Sequence, residues 1–163
     1  MRGACPTVRC ISFGALIQLG RDLEIEVVAE GLESEDLVEA AAVLGADIGQ
    51  GFALAHPMPG LDIKAWADGF RWTIDRTSPK SPLGMLAAMW RVTHAGDGPV
   101  TSVEICPITR FIAARGLLGT KLDALHRRLH VPAGEEDGRR SPRYRAEAVR
   151  FRQRLAATAT GEG

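Results

Sequence analysis

Two groups of residues in this chain have the types and spacing for chemistry. The first is Glu30 and Glu33, in Val27-Val28-Ala29-Glu30-Gly31-Leu32-Glu33, with Gln50 following in Gln50-Gly51-Phe52. An apolar run stops at a carboxylate and a glycine, and a second short run stops at an amide. Carboxylates at strand ends are where α/β enzymes place their chemistry. The same residue before a glycine also serves as a cap or a loop brace. The second group is Cys106 with His94, His126 and His130. His126 and His130 are four residues apart, so on a helix they share a face at the spacing that one metal ion bridges. Cys106 precedes Pro107 at a helix start, where a lowered thiol pKa suits metal ligation or redox chemistry. Three histidines and one cysteine complete a tetrahedral zinc site. A plainer reading stands beside it, in which Cys106 is a small buried apolar residue and the histidine pair is a polar helix face.

The first group needs strands to hold it. Ile11–Leu23 reads as a helix, with Ile11, Ala15, Leu16, Leu19 and Leu23 on one face. Glu24–Ala29 reads as a short β-branched strand. Ser34 is a good N-cap, followed by Glu35 and Asp36 in a first turn that favours carboxylates. Leu37, Ala40, Ala41 and Leu44 then supply an apolar stripe, and Gly45 stops the helix. Asp47–Ala55 reads as a second strand, ended by Pro57 and Pro59-Gly60. Leu61–Trp72 reads as a further helix facing inward through Leu61, Ile63, Trp66 and Phe70. Strands alternating with helices imply parallel pairing and right-handed crossovers. Two strands alone leave such a sheet incomplete, because parallel sheets are buried on both faces.

The second group needs helices. Beyond a Pro- and Ser-rich stretch at Arg76–Pro82, helices are expected at Leu83–Thr93, Ile108–Arg115 and Thr120–His130, with a Gly-rich loop at Ala95–Pro99. Met85, Met89 and Trp90 read as core. Pro132–Pro142 reads as a disordered linker and Tyr144–Ala157 as a basic, partly ordered helix before a frayed end. The expected domains are therefore 1–75, a strand-bearing part; 76–133, a helical extension; and 134–163, a basic, partly disordered tail.

A net charge of zero hides an asymmetry. Residues 1–70 carry 4 basic and 11 acidic side chains, and residues 110–155 carry 12 basic and 5 acidic ones. Arg139, Arg140, Arg143 and Arg145 lack the aromatic interleaving of a nucleic-acid surface, so a solvated face is the expectation there. No apolar run approaches the ~18 residues of a membrane span, and Met1–Cys5 lacks a signal-peptide core. Three cysteines form no disulfide framework, which agrees with a reducing compartment and a cytoplasmic chain.

The stretch from Val27 to Ser34 resembles the late motif of EAL-type cyclic di-GMP phosphodiesterases, A-E-G-V-E-T. Leu44-Gly45-Ala46-Asp47 with Gln50-Gly51-Phe52 and Pro57-Met58-Pro59 resembles the next block of that family in order and spacing. The resemblance covers about Ile11 to Phe70. It implies an α/β fold: the last βαβ-α portion of a TIM barrel, followed here by a small, mostly helical extension. It implies a divalent Mg or Mn cofactor that activates water against a phosphodiester. Glu30 matches the family's carboxylate at the metal–water site, Glu33 the glutamate that braces the site loop, and Gln50 the glutamine at the rim.

The Glu-Ala-Leu signature does not occur, and the family's Asn, mid-barrel Glu, Asp-Asp pair and Lys belong upstream of these residues. Met1 then stands where an internal or misassigned start would. The implied ligand is cyclic di-GMP, and the implied parent activity is its hydrolysis to a linear dinucleotide, absent from this chain alone. Open strand edges raise the expectation of self-association or of a partner that supplies the missing barrel strands. The second group is loosely similar to chemoreceptor zinc-binding domains, although His94 lies too near Cys106 for their first histidine. Two other readings stand beside a truncated EAL protein: a regulatory or sensor module with a zinc site of His94, Cys106, His126 and His130, and a gene fragment without function.

Overall fold

The computed structural model describes residues 6–94, 102–134 and 138–159. Its elements, in order, are α1 (Pro6–Asp22), β1 (Val28–Ala29), α2 (Glu35–Leu44), β2 (Ile48–Gly49), α3 (Ile63–Gly69), α4 (Pro82–His94), α5 (Pro107–Ala114), α6 (Lys121–Ala133) and α7 (Pro142–Ala159). The protein is mostly helical. The two strands form a small parallel sheet that pairs Val28 with Ile48 and Ala29 with Gly49. The βαβ order of the sequence reading is present, but only two residues of each expected strand are paired, and a partial TIM barrel is not established. Glu24 explains the late start of β1: it sits at φ 57, a left-handed conformation that closes α1 rather than extending the chain.

Local chemistry sets the ends of α2. The Ser34 hydroxyl accepts from the Leu37 N–H, and Gly45 at φ 93 donates to the carbonyls of Ala41 and Ala42. The turn after α2 is tied to α1, since Arg21 Nη2 donates to the Gly45 carbonyl at 3.1 Å. The Asp47 carboxylate accepts from the Val27 N–H at 3.1 Å and fixes the entry to β1.

Helix α4 is apolar on two sides. Ala87 and Trp90 join Ile17, Ala29, Leu32, Val38, Val43 and Leu44 in one core. Met85, Leu86 and Met89 join Phe111, Ile112, Leu122, Leu125, Tyr144, Phe151 and Leu155 in a second. A helix buried on both sides packs only if neighbours cover it on both. Here α2 and α1 cover one side, and α5, α6 and α7 cover the other. The close approach of α1 depends on Gly14, where a Cβ would lie 2.7 Å from the Trp90 ring.

Several inward faces differ from expectation. Among the described side chains of α1, Gly14 and Ile17 are buried, while Leu16 and Leu19, with Leu23 just past the helix, are exposed. The helix is rotated so that Gly14 and Ile17 face inward, and a side chain at Gly14 would meet the Trp90 ring. Leu61, Ile63 and Trp66 are also exposed, and α3 buries no residue. By contrast, α7 occupies most of the segment read as a basic, partly disordered tail, and it buries Tyr144, Ala148, Phe151 and Leu155. Pro132 and Ala133 belong to α6, not to a linker. The loop expected at 95–99 lies outside the described residues.

The N-terminus of α4 is capped from two directions. Ser81 Oγ accepts from the Gly84 N–H at 2.9 Å, the usual N-cap bond. Glu39 of α2 accepts from the Lys80 N–H and the Ser81 N–H, both at 2.7 Å, and from the Ser81 hydroxyl at 2.5 Å. Charge-assisted bonds of this kind are the stronger ones. Glu39→Gln replaces one acceptor oxygen by an amide that meets donors. It is expected to cost roughly 2 kcal/mol, seen as a lower denaturation midpoint at unchanged m-value.

Candidate functional site

The parallel register determines where the first group lies. Gln50 N donates to the Ala29 carbonyl at 2.8 Å, and Leu32 N donates to the Gln50 carbonyl at 3.1 Å. Glu30 and Gln50 therefore stand next to each other, each one residue past the paired positions of its strand. Glu33 follows in the loop before α2. Gly51 is required there, because a Cβ would lie 2.3–2.5 Å from the Leu32 backbone. Glu30, Glu33 and Gln50 are all exposed. Hard cations such as Mg and Mn need several oxygen ligands fixed together. Three exposed side chains on two strand ends and a loop do not form such a set, so the residues present do not fit a two-metal centre.

The second group is assembled differently. Among the described residues, Cys106, His126 and His130 are the His, Cys, Asp or Glu residues that converge as a potential metal group, their ligand atoms all within 4.8 Å of one another. Cys106 is the N-cap residue of α5, preceding Pro107 at the first helical position. The two histidines are one turn apart on α6, with their Nε2 atoms 3.0 Å from each other. Cys106 and His126 are buried and His130 is half-buried. All three line a cavity of about 180 Å³, whose walls include Met85, Met89 and Tyr144.

His94 is not part of this convergence. It ends α4 on the other side, one turn after Trp90, and stacks on that indole with ring centroids 5.0 Å apart. Its Nδ1 lies 2.8 Å from Thr93 Oγ1 and 3.1 Å from the Trp90 carbonyl. The groove it lines belongs to Ala15, Gln18, Leu19 and Asp22 of α1. The structure thus brings together three of the four residues expected to hold zinc. His56 is exposed and stacks on Phe52.

Burial dominates the electrostatics of this centre. His126 is fully buried, and its Nδ1 has no hydrogen-bond partner. Desolvation, with the neighbouring His130 adding to it, pushes the His126 pKa from 6.5 down to about 4. The buried Asp123 carboxyl is held below its ordinary range, first by the Gly119 N–H and then by Arg127. The Tyr144 hydroxyl is pushed up by burial. Tyr144, Met85, Met89 and Arg139, which the sequence reading did not connect to this centre, reach it from α4, α7 and the turn before α7.

Comparisons with known proteins give partial matches. No family model matches the chain, and no solved structure matches it. Over 51 residues it is 43% identical to the bifunctional diguanylate cyclase/cyclic di-GMP phosphodiesterase MucR of Pseudomonas aeruginosa, a match covering 31% of this chain and 7% of that protein. Over 54 residues it is 41% identical to the probable cyclic di-GMP phosphodiesterase PdeD of Escherichia coli K12, covering 33% of this chain and 10% of that protein. The chain therefore spans a tenth or less of either relative. No helix among the described residues is long and apolar enough to cross a membrane.

The depressed His126 pKa gives the metal-free protein a pH dependence. The fold favours the neutral ring, so between pH 6.5 and about 4 the unfolded chain binds more protons at this site. The contribution is complete above pH 6.5 and is lost as pH falls to about 4. It amounts to roughly 3 kcal/mol across that window. Denaturant titrations in the presence of chelator should show this loss in the wild type and a flatter profile in His126→Leu.

Proposed function

We propose that the chain acts in cyclic di-GMP signalling through an EAL-related region, and that these 163 residues do not by themselves hydrolyse the dinucleotide. The observation that carries this reading is the placement of Glu30 and Gln50 at adjacent ends of a parallel strand pair. This is the arrangement implied by the resemblance to the family's last two motifs. The partial likeness to two proteins named as cyclic di-GMP phosphodiesterases supports the same context. The exposed, sparse oxygen ligands support inactivity, since two-metal hydrolysis needs both attacking and leaving oxygens clamped. Incubation of the purified chain with cyclic di-GMP and Mg or Mn is expected to yield no linear dinucleotide above the buffer blank. Mg-dependent turnover that disappears in Glu30→Ala would overturn this reading.

A second reading rests on a separate observation. The convergence of Cys106, His126 and His130 supports a regulatory or sensor module built on a zinc centre of one thiolate and two imidazoles. The thiolate and neutral imidazoles suit zinc better than a hard cation. Purified protein is expected to retain about one zinc per chain and to gain thermal stability on zinc addition, both effects being lost in Cys106→Ser. A content below about 0.2 per chain with no thermal response in the wild type would sink it.

A further inference from the structure

We infer that an ion held by Cys106, His126 and His130 keeps its fourth coordination position open to the adjoining cavity, which admits a small monoanionic donor with an apolar body. This rests on the zinc reading and adds the ligand to it.

The argument starts from the donor atoms. Two imidazole nitrogens on one tetrahedral zinc, at about 2.0 Å each, lie about 3.3 Å apart. The Nε2 atoms of His126 and His130 are 3.0 Å apart, close to that separation before any ion draws them into place. Three donors converge among the described residues, and three protein donors leave one tetrahedral position, as in zinc sites that bind water or substrate. His94, the natural candidate for a fourth donor, is stacked on Trp90 in a different groove.

The space beside the three donors is suited to a guest. Its volume of about 180 Å³ is an order of magnitude above the roughly 10–15 Å³ that one water requires. Met85, Met89, Val92, Ile108 and Leu129 give it apolar walls, which favour an apolar body over a cluster of waters.

Charge selects the sign of the donor. A divalent ion with one thiolate and two neutral imidazoles carries one net positive charge. Among the described residues two carboxylates lie near the donors: Asp123 is engaged by the Gly119 N–H and by Arg127, and Glu104, two residues before Cys106, is exposed to solvent and engaged by Ser102. Arg139 lines the same cavity. An anionic donor neutralises the centre where a neutral one leaves it charged in apolar surroundings. Binding is a ligand substitution: the Cys106 proton leaves to solvent when the ion binds, the guest enters as its anion, water departs, and no bond within the guest breaks.

Cobalt(II) reports each step separately. The full chain, stripped of metal and loaded with cobalt, is expected to develop a thiolate-to-cobalt charge-transfer band and tetrahedral d–d bands that survive gel filtration. Ethanethiol, added as its thiolate, is expected to shift the d–d bands saturably while the cobalt stays with the protein. Ala88→Leu narrows the cavity without touching a donor, and should weaken that response by about tenfold at unchanged cobalt retention. A wild-type spectrum that ethanethiol does not alter, with cobalt retained, overturns the open position and leaves the zinc reading standing. Failure to form any charge-transfer band overturns the zinc reading itself.

Discussion

The Glu39 carboxylate is the interaction on which the arrangement of this molecule turns. It reaches from α2 to the first turn of α4 and accepts from two backbone N–H groups and a hydroxyl there. A helix start leaves its first N–H groups without partners inside the helix, and the attraction of a helix N-terminus for negative charge strengthens such a contact. Gly84 makes room for it, since a Cβ there would lie 2.2 Å from Glu39 Oε2. One carboxylate thus sets the position of α4 against α2. Helix α4 carries one core on each side, so everything packed on it inherits that position. Arg91 secures the other end, donating to the Val43 carbonyl near the C-terminus of α2 at 3.0 Å.

The two sides of α4 also explain why the chemistry of the helical part is divided. Met85 and Met89 are one turn apart and face the cavity, while Trp90 and His94 are one turn apart and face α1. A histidine at the end of α4 cannot serve both sides. Helix α7 closes the cavity side through Tyr144 and is tied back to α4 where Arg152 Nη1 donates to Thr93 Oγ1 at 3.0 Å. A segment with an Arg-rich sequence is therefore part of the frame around the cysteine and the histidine pair.

What was legible in the sequence was local. Ser34 and Gly45 bracket α2 because a cap and a left-handed stop act within a few residues. The i, i+4 pair of His126 and His130 is equally local. The inward face of α1 was not legible, because leucines at helical spacing mark an apolar stripe without naming its neighbour. The choice is made by Gly14 against Trp90, 76 residues later. Tyr144, Ala148, Phe151 and Leu155 do follow a helical period, but the arginines between them suggested a solvated helix. Arginine stems on an outer face are compatible with a buried inner stripe. The meeting of Cys106 with the histidines depends on how α5 sits on α6, which no spacing encodes.

The contrast between the two groups is finally one of enclosure. Glu30 and Gln50 are aligned by backbone hydrogen bonds of a two-residue strand pair, which fix where the chain runs but leave both side chains in water. Water screens exposed charges, and mobile carboxylates do not hold a hard cation's coordination shell. Cys106 and His126 instead are buried beside the second core, with the His126 ring 6.1 Å from that of Phe151, and packed neighbours restrict their rotamers. A site gains affinity when its donors are already ordered, because the ordering entropy is not charged to binding. The apolar walls then strengthen every electrostatic interaction at the centre. On these grounds the cysteine–histidine cluster is the better-organised of the two groups, and the strand-end carboxylate is the more exposed.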